Sequence, residues 1–137
     1  MLNEHSQRAH ALLSASGSKR WINCTPSAKL EEAEGPRETS VYAAEGTLAH
    51  ELSELYLRHD VLQDISDDKF NEGFEAIMSN ELFSDEMLDV VPIYVDYCTD
   101  EYKAAKTKCK FALIEIEQKL NLTEYVPEAF GTADTVI

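Results

Sequence analysis

The sequence predicts an α-rich α/β fold, and three observations carry that reading. Leu88, Val91, Val95, Cys98, Tyr102, Ala105 and Cys109 recur at intervals of three and four, which marks one apolar face of a long helix. Directly afterwards the pattern changes to period two in Ile114-Glu115-Ile116-Glu117, the signature of a strand. The chain has 137 residues and is 44% hydrophobic, which suits one domain with a buried core.

Each element follows from local chemistry. Residues 1–40 are loop-rich and polar, with Ser14-Ala15-Ser16-Gly17-Ser18 and Glu34-Gly35-Pro36-Arg37. Between them, Ser18–Asn23 reads as a short helical turn capped by Ser16 and anchored by Trp21. Pro26 is suited to opening a second short helix through Leu30. Residues 41–110 form the helical part. Ala44, Leu48, Leu52 and Leu55 are spaced for a helix from about Val41 to Leu57. Asp67-Asp68 starts a helix carrying Phe70, Phe74, Ile77, Met78 and Leu82. Ser84-Asp85-Glu86 starts the long one, with Pro92 as a kink or as the start of its regular part. Residues 111–137 read as a β-hairpin: Phe111 to Leu122, a turn containing Pro127, then Ala129 to Ile137. The sequence ends within that apolar second strand, so the expectation is a truncated domain whose strand edge self-associates.

Composition restricts the function classes. Twelve Lys and Arg against 26 Asp and Glu give a formal charge of −14, which disfavours broad adhesion to nucleic acid through counterion release. No apolar run reaches the roughly 18 residues of a membrane helix, and Met1-Leu2-Asn3-Glu4-His5-Ser6 lacks the layout of a signal peptide. Cys24, Cys98 and Cys109 are widely spaced and odd in number, so a reducing, cytoplasmic setting is expected. Cys98 and Cys109 fall on the helical stripe and read as small core residues.

Two constellations carry chemistry. In Gly46-Thr47-Leu48-Ala49-His50-Glu51-Leu52-Ser53-Glu54, His50 and Glu54 are four apart and share a helix face. A neutral imidazole can ligate a divalent metal while the carboxylate orients the ring; the same spacing also makes an ordinary surface pair. In Phe130-Gly131-Thr132-Ala133-Asp134, one carboxylate stands in an apolar strand. It is costly to bury unless paired or bound to a hard cation such as Mg²⁺ or Mn²⁺, and inexpensive if it faces solvent. Glu117 shares a strand face with Glu115, opposite Ile114 and Ile116. It serves either as a further metal ligand or as part of a solvated face.

The order of a GxxxHxxxE helix and a distant hairpin ending in Gly-Thr-Ala-Asp resembles the RecB-like branch of the PD-(D/E)XK nuclease superfamily. The blocks Ser14–Ala28, Ala44–Leu52, Tyr94–Tyr97, Glu117–Leu122 and Gly131–Asp134 look like an uncharacterised phage and prophage family of such nucleases, from His10 to Ile137. The resemblance implies a restriction-endonuclease-like mixed sheet, of which this chain holds the helices and first hairpin. It implies phosphodiester hydrolysis on DNA with Mg²⁺ or Mn²⁺, His50 and Asp134 as metal ligands, and phage recombination proteins as partners. The family's next motif, an acid two residues before a lysine, is absent here, so the chain alone is expected to be inactive. Cys24 resembles the upstream ligand of the 4Fe-4S cluster found in some RecB-like nucleases. The contrasting expectation is a non-catalytic, acidic interaction or regulatory protein on the same fold.

Overall fold

The computed structural model describes residues 11–35, 38 and 40–137. The expected loop at Pro36-Arg37 and the polar start Met1–Ser6 lie outside them. The described residues form helices α1 (Ser18–Asn23), α2 (Ser27–Glu34), α3 (Val41–Tyr56), α4 (Asp67–Met78) and α5 (Asp85–Lys108), then strands β1 (Glu115–Asn121) and β2 (Phe130–Val136). The two strands pair as an antiparallel hairpin. The α-rich α/β class read from the sequence is the class observed.

Two compact units are present. One comprises residues up to Glu38 together with Gln118–Ala133; the other comprises Thr39–Glu117 and Asp134–Ile137. In the first, Trp21 donates its indole N–H to the Ser14 carbonyl (2.9 Å), and Ser14 Oγ accepts from the Gly17 amide (3.1 Å). Ser14 therefore organises the entry to α1, where Ser16 was expected to. Arg20 of α1 pairs with Glu31 of α2. Pro26 occupies the position before α2, whose first residue is Ser27. The hairpin turn is held by Asn121, whose Oδ1 accepts from the amide and hydroxyl of Thr123 (3.0 and 2.7 Å). Leu122 donates to the Ala129 carbonyl (3.0 Å) just outside the strands.

The second unit holds the helical core. Ser40 caps α3 by accepting from the Ala43 amide (3.2 Å), and Ser66 caps α4 by accepting from Lys69 (3.4 Å). Leu48 and Leu52 of α3, Ile77 of α4, and Met87, Val91, Val95 and Cys98 of α5 are buried together with Leu57. Gly73 lets α4 approach α3 closely, since a Cβ there would stand 3.0 Å from Leu55 Cδ1. Tyr56, Phe70 and Phe74 add an aromatic cluster, with ring centroids 5.2 to 6.3 Å apart.

The structure corrects several expectations. After Tyr56 the backbone widens into a π-helical segment, Leu57–Leu62, closed by Gln63 at φ 55, whose amide donates to the Arg58 carbonyl. Leu82 lies beyond α4 but packs on the core. α5 begins at Asp85 and continues through Pro92, so the proline does not mark the start of its regular part. It ends at Lys108, so Cys109 is extended (φ −142) and exposed instead of completing the buried stripe. Phe111 and Leu113 are 76% and 67% exposed and precede the strand, which begins only at Glu115. No helix among the described residues is long and apolar enough to cross a membrane.

Candidate functional site

His50, Ser53, Glu54 and Leu57 recur at i, i+3, i+4 and i+7 along α3 and into the π-helical segment, so they form one strip of that helix. Ser53 and Leu57 are buried, which anchors the strip, whereas His50 remains exposed. This strip makes one wall of a small cleft. Tyr94 of α5, Ile116 and Glu117 of β1, and Asp134 and Thr135 of β2 complete the lining. All nine residues belong to the second unit. The cleft has about 10 Å³ of internal space, at the threshold for one water molecule.

At this cleft His50 Nδ1 lies 3.6 Å from Asp134 Oδ2, with both side chains about half exposed. The separation is too long for a hydrogen bond. Two adjacent donors about 2.1 Å from one divalent ion stand about 3 Å apart. The pair is thus close to the spacing of two neighbouring ligands and would close onto a cation with a small side-chain movement. Among the described residues, no group of three or more His, Cys, Asp or Glu side chains is arranged to hold a metal ion. The donors that the cleft brings together here are two, His50 and Asp134.

Glu117 lines the same cleft by a route that strand alternation does not foresee. Its φ is 52, in the left-handed region, which costs a non-glycine residue about 1 kcal/mol. Adjacent strand residues normally point to opposite faces, yet Ile116 and Glu117 both line the cleft. Glu54, expected to orient the His50 ring, accepts instead from Arg58 Nε at 2.7 Å. Arg58 also donates to Asp64 Oδ2 at 2.8 Å. The hydrogen bond that Arg58 donates to Glu54 is the leading reason that its guanidinium is held above its ordinary pKa.

Tyr94 is the lining residue to which sequence reasoning gave no role. Its hydroxyl and that of Thr135 are 2.9 Å apart in a shared hydrogen bond, which ties α5 to the residue following Asp134. Burial pushes the Tyr94 phenol above its usual pKa, and the bond to Thr135 opposes that shift. The sequence signals for it are its place three residues after a buried-face valine and its membership of the block Tyr94–Tyr97.

Cys24 ends α1, and its amide donates to the Arg20 carbonyl (2.8 Å). Cys24 is exposed, whereas Cys98 is buried in the helical core. A 4Fe-4S cluster takes four thiolates, and this chain has three cysteines, so its own cysteines do not make the cluster.

Comparison with known proteins places the chain. No solved structure matches it. A family model described as "Protein of unknown function (DUF2800)" matches residues 10–137. That match takes in α1 through β2 and every residue of the cleft, so the chain belongs to the DUF2800 family.

Proposed function

We propose that this chain supplies part of a divalent-metal site for phosphodiester hydrolysis on DNA, with His50 and Asp134 as its protein donors. The observation that supports the reading is their convergence at 3.6 Å from α3 and β2, elements far apart in sequence. The sequence resemblance to RecB-like nucleases names the same two residues. A bound Mg²⁺ or Mn²⁺ would supply Lewis acidity and a water of lowered pKa. Within this chain, Asp134 offers a carboxylate oxygen and His50 a ring nitrogen. Glu117 stands at the wall to receive hydrogen bonds from water in the cation's shell. Arg58 keeps Glu54 at the rim of the cleft.

Two donors predict weak binding, with a Kd on the order of a millimolar. An Mn²⁺ titration of the 137-residue chain, followed by paramagnetic broadening in NMR spectra, should first broaden signals of His50, Asp134 and their neighbours. His50→Ala and Asp134→Ala should each remove that site. The chain itself should not cleave DNA, because the sequence provides no lysine after Asp134 to assist an attacking water. A chain joined to a further strand bearing an acid two residues before a lysine should cleave DNA with Mn²⁺ and lose that activity with either substitution. Broadening spread evenly over the acidic surface, unchanged in both variants, would remove His50 and Asp134 from any metal site.

A second reading is an acidic interaction protein that keeps this fold without catalysis. The excess of 26 acids over 12 bases and the incomplete donor set among the described residues favour it. Absence of Mn²⁺ binding at the cleft, with no DNA cleavage by the strand-extended chain, would establish this reading over the first.

A further inference from the structure

Helix α5 carries a second apolar strip besides the one buried in the core. Val90, Ile93 and Tyr97 are 54%, 70% and 65% exposed, and their spacing of three and four places them on one outer face. That spacing is also the a, d, a pattern of a helix-docking seam. From Asp85 through Glu101 the helix contains six carboxylates and neither Lys nor Arg. The first base is Lys103, whose ammonium is 3.9 Å from Asp100. In the register set by Val90, Asp89 and Asp96 flank the seam on one side and Glu101 on the other. These are the positions whose charges select a partner helix.

We infer that this face of α5 docks a basic amphipathic helix from another protein. Its apolar residues cover Val90, Ile93 and Tyr97, and its Lys or Arg side chains meet Asp89, Asp96 and Glu101. Charge decides the occupant. A second copy aligned in parallel would set Asp96 against Glu101 of the other chain, and an antiparallel copy would set Asp89 against Asp96. Both arrangements juxtapose like charges and are disfavoured. The same carboxylates repel nucleic acid and anionic membrane surfaces. The inference does not depend on the metal site, since none of the seam residues lines that cleft.

The test uses the 137-residue chain and three synthetic helices of about three heptads. The first has Leu at a and d with Lys at e and g. The second replaces Leu by Ser, and the third replaces Lys by Glu. The first peptide should shift backbone amide NMR signals of residues 89–101. The other two should bind at least about tenfold more weakly, as expected when apolar anchors or flanking charges are lost. An Ile93→Ser, Tyr97→Ser double variant, altered only at exposed positions, should lose about tenfold for the first peptide. Equal binding of the Ser peptide would reduce the effect to general charge attraction and overturn the proposal. So would shifts centred away from α5, or wild-type self-association in sedimentation that Ile93→Ser abolishes.

Discussion

His59 illustrates how much one side chain can organise where the backbone is irregular. Its Nδ1 meets Asp60 Oδ1 at 2.5 Å and its Nε2 meets Asp67 Oδ1 at 2.9 Å. The ring also packs on Phe70, with centroids 4.5 Å apart. The bond to Asp67, followed by that to Asp60, raises the His59 pKa above its ordinary value. The protonated ring thus stabilises the fold below about pH 6.5, and that contribution disappears as pH rises through the higher folded value. Thermal melts should show wild type losing its advantage over His59→Gln as pH rises from about 6.5 through the higher folded value; a constant difference would remove the ring charge from the junction. Glu117 offers a second test at this scale. Because its φ is 52, Glu117→Gly should be more stable than Glu117→Ala by about 1 kcal/mol in urea unfolding. The opposite order would describe an ordinary strand position. His50 was legible as a histidine four residues before Glu54 on one helix face, and Asp134 as a lone carboxylate in an apolar strand. His59 was not, because its partner Asp67 lies eight residues away across a π-helical segment that no local pattern announces.

Among the elements, α3 combines core anchoring with the presentation of His50, and Gly46 is a position that serves neither. It lies inside the helix, and a Cβ there would meet nothing within 4 Å. Gly46→Ala should therefore raise the urea midpoint, corresponding to about 0.5–1 kcal/mol. A lower midpoint would mean that something packs on this face of α3 in solution. Helix existence was legible because apolar spacing acts within a few residues, whereas the serines that cap α3 and α4, Ser40 and Ser66, were not singled out and Ser84 makes no side-chain cap bond. Helix ends were less legible. The α5 stripe continues in sequence to Cys109, but the helix stops at Lys108, and Phe111 and Leu113 remain exposed before the strand. Periodicity records which residues would share a face if the helix continued; it does not record where backbone hydrogen bonding stops. The buried strip also includes Met87, which sequence spacing passed over in favour of its neighbour Leu88.

Across the whole molecule, acidity and chain path matter more than any single contact. Of the long-range pairings that build the cleft, His50 with Asp134 was readable only from motif order, and Tyr94 with Thr135 was not readable at all. Nothing local in either segment specifies that a helix and a strand should meet. The boundary between the compact units runs through the hairpin, leaving Asp134–Ile137 with the helices and the preceding Gln118–Ala133 with the other unit. This path fixes a timetable. During synthesis the ribosome releases His50 long before Asp134, with 83 residues of chain between them. Throughout that interval the imidazole is already present and its carboxylate partner does not yet exist. Whatever chemistry the pair performs is thus withheld from a nascent chain and becomes available only once the second strand has emerged and paired.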